Sequence, residues 1–83
     1  MQMVKSHSLS RQQIINTLKE KELMITFEKS NGEERVMRCT LQKDVVPEVS
    51  EDHNKGQQDR IIAYDLDKKA WRSFYYDSIL RIQ

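Results

Sequence analysis

At 83 residues, 37% hydrophobic and 33% charged, the chain has material for one domain with a thin core, because a domain this small buries only about 60% of its unfolded surface. A single cysteine, Cys39, excludes an internal disulfide, and His7 and His53 stand at no metal-ligand spacing, so no metal or cofactor is expected and self-association is the remaining support. The net charge of +1 hides an asymmetry: residues 44–59 hold five acidic side chains against Lys55, a net −4, and leave a body of +5 that can attract phosphates.

Residues 1–9 read as a tail with no hydrophobic signal region, and no apolar run approaches the roughly 20 residues of a membrane span, which gives the expectation of a cytoplasmic protein. A helix is predicted over 10–21. Ser10 and Gln13 have capping-box spacing, Leu9 and Ile14 that of a hydrophobic staple, and Ile14, Ile15 and Leu18 form one apolar stripe. From Leu23 the period changes to two. Leu23, Ile25 and Phe27 alternate with polar neighbours as a strand does, and Ser30-Asn31-Gly32-Glu33 is a hairpin turn. The return strand places Met37, Cys39 and Leu41 on the apolar face. Arg35 begins that face near the turn, and Val36, Arg38 and Thr40 take the other.

Pro47 interrupts the long connection that follows, Val45, Val46 and Val49 can anchor it, and the stretch from Ser50 to Asp59 contains no apolar residue and reads as a mobile loop. A third strand runs from Arg60 to Leu66 with Ile62, Tyr64 and Leu66 facing one way. Asp67-Lys68-Lys69 turns the chain into a fourth strand, Ala70 to Tyr75. A tight turn at Tyr76-Asp77-Ser78 leads into a last short strand, Ile79 to Ile82. The expectation is a mainly β domain over 1–83 with an N-terminal α-helix. Its body is a small five-stranded antiparallel barrel of SH3/Sm-like type over 23–82, interrupted by an acidic loop at 44–59.

Two stretches carry a family resemblance. Glu34-Arg35-Val36-Met37-Arg38-Cys39-Thr40-Leu41, after the Asn-Gly turn, and Ile61 to Phe74 resemble short bacteriophage proteins described as WYL-like, with an Sm-like SH3 β-barrel fold. The likeness spans Met24 to Ile82. It is most specific from Asp65-Leu66 through Trp71-Arg72-Ser73-Phe74 to Asp77-Ser78-Ile79. The helix and the acidic insertion after Pro47 depart from that pattern. The resemblance implies a phage origin, a host-cell cytoplasmic setting and no catalytic residues. It also implies RNA or other single-stranded nucleic acid as ligand, since Sm-like barrels often bind RNA. Phage proteins of this size commonly disarm host or antiviral defence enzymes, an RNA-cleaving toxin of a toxin–antitoxin system among them.

The candidate nucleic-acid contacts are Lys29, Arg35, Arg38, Lys68, Lys69, Trp71, Arg72 and Tyr76: cations for phosphates and flat side chains for bases. The ordinary alternative is a solvated face with ion pairs to Glu28, Glu33, Glu34 and Asp65, each contributing at most about 1 kcal/mol. Trp71 and Phe74 are three apart in a strand and face opposite ways, so only one can be internal. Cys39 reads as a core residue, and Asp65 and Asp67 as turn residues beside Lys68 and Lys69. No nucleophile has an evident base and two glycines make no phosphate loop, so an enzyme is not expected. One competing reading is an inhibitor that engages a host or defence protein through the acidic loop or a strand edge, without nucleic acid. Another is a homo-oligomer without a ligand, paired through its edge strands.

Overall fold

The computed structural model describes residues 9–47 and 53–83. The tail expected over 1–9, Leu9 excepted, and the middle of the acidic stretch lie outside these residues. Helix α1 spans Arg11–Glu20 and begins as its sequence dictates. The Ser10 hydroxyl accepts from the Gln13 amide at 3.2 Å, and the Gln13 side chain accepts from the Ser10 amide at 2.7 Å. Ile14, Ile15 and Leu18 are buried.

Five strands follow: β1 Leu23–Glu28, β2 Glu34–Thr40, β3 Arg60–Asp65, β4 Ala70–Tyr75 and β5 Ile79–Ile82. They form one antiparallel sheet in the order β4-β3-β2-β1-β5, curled around the core, with a 3-10 turn over Tyr76–Ser78 joining the two edge strands. A bulge between Thr26 and Phe27 lets β5 bend across β1. The sheet is the small SH3/Sm-like barrel expected from the element order. Its core is Leu23, Ile25, Met37, Cys39, Ile61, Ala63, Phe74 and Ile79 together with the three helix residues. Each fully buried large aliphatic contributes about 1.5–3 kcal/mol, so a few side chains account for most of the stability of so small a domain.

At the β1–β2 hairpin only Gly32 takes a positive φ, 90°. Asn31 works differently from the tight-turn expectation, its side-chain oxygen accepting from the Glu33 amide at 3.1 Å. Strand β3 also departs from the sequence reading. Ile61, Ala63 and Asp65 point inward, while Ile62, Tyr64 and Leu66 are half-buried. Apolar residues occupy both phases of this strand, so alternation alone cannot choose between them. The turn decides: Asp65 Oδ1 accepts from the amides of Asp67 and Lys68, both at 3.0 Å, which fixes Asp65 inside and carries Ala63 and Ile61 with it. Thr40, expected on the outer face, is fully buried because the C-terminal end of α1 packs on it. Its hydroxyl donates to the Leu18 carbonyl at 3.1 Å, and the Leu41 amide donates to the same oxygen.

Strands β2 and β3 pair only at Cys39↔Asp65 and Thr40↔Tyr64, so the first half of β3 has no strand beside it there. Asn54 supplies the missing partner. It is 5% exposed, donates to the Ile62 carbonyl at 2.9 Å and accepts from the Ile62 amide at 2.8 Å. Arg11 donates to the carbonyls of Arg60 and Asn54, tying helix, loop and strand together. The loop expected to be mobile is therefore pinned over its described part, and by a polar residue: buried backbone groups need hydrogen bonds whatever the hydropathy of the segment that provides them.

Candidate nucleic-acid interface

Strand register sorts the candidate residues by face. Arg35 lies opposite Phe27, Met37 opposite Ile25, Arg72 opposite Ala63, and Phe74 opposite Ile61. Arg35 and Arg72 thus share the inner face of the sheet, while Arg38 points outward, so the expected set of contacts is split between two faces. Between the β1–β2 hairpin and β4 the inner face opens into a cleft of about 520 Å³, lined by Phe27, Glu28, Lys29, Ser30, Arg35, Met37, Arg72, Ser73, Phe74, Tyr75 and Ser78. Phe27 and Phe74 stack at the cleft with centroids 5.0 Å apart, and Tyr75 is 52% exposed.

Charge makes this cleft the basic locus. Lys29, Arg35 and Arg72 line it against Glu28 alone. Among the described residues no carboxylate lies within ion-pair distance of Lys29 or Arg72. Arg35 is partly neutralised, its guanidinium 3.2 Å from the Asp65 carboxylate. A neighbouring cleft of about 330 Å³ shares Lys29 and Arg35 and adds Lys68, but Glu33, Glu34, Asp65 and Asp67 line it too, which makes it acidic overall. By formal charge the first cleft is basic and the second acidic.

The remaining candidates go elsewhere. Arg38 lies between Asp67, at 3.4 Å, and Glu22, at 3.9 Å, as a surface ion pair. Lys69 occupies the β3–β4 turn with φ 54°, a conformation a lysine adopts only because the hairpin closes there. Tyr76 packs against the core, and its hydroxyl donates to the Leu9 carbonyl at 2.6 Å, so it braces the chain. Trp71 is on the outer face of β4, half-buried, beside Tyr64 and His53. The cleft also recruits Phe27, Ser73, Tyr75 and Ser78, which the sequence reading did not select. Tyr75 ends β4, and only pairing across β3 shows that it lies beside the basic opening.

Cys39 is fully buried. Burial first, and the Asp65 charge second, push its thiol up to about 12. Its place is structural, and the thiolate is not available as a nucleophile near neutrality. Among the described residues no group of three His, Cys, Asp or Glu side chains is placed to hold a metal, and no helix is long and apolar enough to cross a membrane.

Comparison with known proteins gives two likenesses. A family model described as WYL_2, Sm-like SH3 beta-barrel fold, matches residues 11–80, which includes every element lining the basic cleft. Over 63 residues the chain is 32% identical to the "Uncharacterized 11.5 kDa protein in Gp31-cd intergenic region" of Enterobacteria phage T4, covering 70% of this chain and 62% of that protein. The chain thus spans less than two thirds of this relative's length. No solved structure matches.

Proposed function

The chain belongs to the WYL_2 family, with its Sm-like SH3 β-barrel fold, and from that premise we propose that it binds single-stranded nucleic acid, RNA first, in the cleft between the β1–β2 hairpin and β4. The observation that carries this reading is the placement of Lys29 and Arg72, without carboxylate partners among the described residues, on the rim of a cleft containing the stacked Phe27 and Phe74. Cations on such a rim hold phosphates, and the aromatic floor beside them suits the flat face of a base. The relative is a phage protein, and in an infected host the binding proposed here would modulate a host or antiviral defence activity. An RNA-cleaving toxin of a toxin–antitoxin system is one enzyme whose substrate such a protein would shield.

Polarisation titration with a labelled single-stranded RNA tests the proposal. Two phosphates neutralised by Lys29 and Arg72 give a log–log salt slope of about −1.4 for a single strand, roughly a sevenfold loss of affinity between about 50 and 200 mM salt. Replacing both residues by alanine removes most of that slope, whereas Arg38→Ala leaves it unchanged. No binding at the lower salt removes the proposal. A second reading has its own support, since β4 and β5 are edge strands whose outer sides no described strand pairs with. A host or defence protein that pulls down with the chain and survives nuclease treatment would favour strand addition over RNA.

A further inference from the structure

The most costly apolar side chain to leave outside a core is the one that lies outside it. Trp71, the single tryptophan of the sequence, is absent both from the buried cluster and from the apolar residues packed against it. It is held in place all the same. Tyr64, its cross-strand partner, meets it edge-on with centroids 5.4 Å apart, and the exposed imidazole of His53 lies over it at 4.5 Å, tilted by 41°. Two residues along the same face Ser73 leaves the surface low. Two further on, Tyr75 stands at the lip of the basic cleft with the Arg60 guanidinium 5.2 Å above its ring. Strand β4 is an edge, so no neighbouring strand obstructs a path from the cleft onto this outer face.

We propose that the outer face of β4 is a second contact for the same ligand: a strand whose phosphates sit in the cleft crosses the β4 edge at Tyr75 and stacks a base on Trp71, in the position the His53 imidazole occupies in the free protein. This deepens the nucleic-acid reading and rests on it. A flat, half-exposed indole braced by Tyr64 keeps its orientation, and the His53 ring that the base displaces shows that this face accepts a flat group. Every base has a face to offer it, so the contact does not depend on sequence. Polyanions without bases gain nothing from it.

Because Trp71 is the sole tryptophan, its fluorescence reports this contact alone, while the polarisation of a labelled oligonucleotide reports binding anywhere. Two probes are titrated: an oligoadenylate, and inorganic polyphosphate of similar charge, followed by its competition with the oligonucleotide. The expected result is that both occupy the cleft but only oligoadenylate quenches Trp71. Trp71→Ala then weakens oligoadenylate about 5- to 150-fold, the equivalent of the 1–3 kcal/mol a stacked base contributes. It leaves polyphosphate competition unchanged, and Trp71→Phe, which keeps a ring, restores most of the affinity. Oligoadenylate binding with no change in Trp71 emission, or an equal loss for both probes in Trp71→Ala, overturns the inference and leaves the cleft assignment standing. Failure of oligoadenylate to bind the wild-type protein at low salt overturns both.

Discussion

Asp65→Asn separates the structural from the functional work of one charge. In the wild type Asp65 is 2% exposed and holds three groups: the amides of Asp67 and Lys68 on Oδ1, and the Arg35 guanidinium at 3.2 Å on Oδ2. Asparagine keeps an oxygen for the turn amides and removes the charge. Breaking a fully buried pair costs about 3–5 kcal/mol because the surviving charge is stranded. Here the Arg35 side chain is 27% exposed and reaches water, so the cost falls to about 2 kcal/mol, the worth of a hydrogen bond to a charged group. For a domain of this size that lowers Tm by roughly 8–16 °C, measurable by circular dichroism. The same change frees Arg35 as a third cation in the cleft. RNA affinity at low salt rises, and the salt slope steepens from about −1.4 to about −2.1. A stability change below about 0.5 kcal/mol with an unaltered slope would show that Arg35 is already independent of Asp65, and the electrostatic account of the cleft would be wrong.

Cys39 gives a pH signature. Below pH 9.0 the thiol is protonated whether the chain is folded or not; between 9.0 and about 12 only the unfolded chain ionises it. Stability that is intact below 9.0 is therefore lost as pH rises, by up to about 1.4 kcal/mol per pH unit from this group, and the difference between wild type and Cys39→Ala in urea melts shrinks over that window; a constant difference would refute the burial argument. Asn54→Ala leaves the Ile62 amide and carbonyl without their partner and costs about 2–3 kcal/mol. Hydrogen exchange at the Ile62 amide accelerates, and an unchanged rate would mean the loop does not cover the β3 edge. Lys69→Gly relieves a positive φ and raises stability by about 0.5–1 kcal/mol, with RNA affinity unchanged because Lys69 lies outside the cleft. A loss of affinity there would extend the interface to the β3–β4 turn.

The parts of the fold readable in the sequence are those governed by neighbours in the chain. Ser10 and Gln13 announce the helix start, the alternation from Leu23 to Leu41 announces a hairpin, and Asp65 with Asp67 announces a turn. Where two phases are equally apolar, as at Ile61-Ile62 and Ala63-Tyr64, the side facing inward depends on a turn several residues away, and periodicity is silent. Asn54 was illegible for a different reason. Its value comes from an unpaired stretch of β3 that exists only once β2 has ended. The cleft shows the same limit: Lys29, Arg35 and Arg72 are candidates because they are cations, and Arg38, Lys68 and Lys69 are candidates on the same ground. Only strand register and carboxylate neighbours separate a binding face from a surface ion pair.

The most direct test is a two-dimensional amide NMR titration of the full chain with a short single-stranded RNA at low salt. Shifts concentrated on Lys29, Arg35 and the stretch from Trp71 to Tyr75, with the amides of the outward-facing residues Met24, Val36 and Arg38 unmoved, are the predicted result. Shifts centred on Met24, Val36 and Arg38, or scattered over the whole barrel, would contradict the assignment of the ligand to the cleft beside β4.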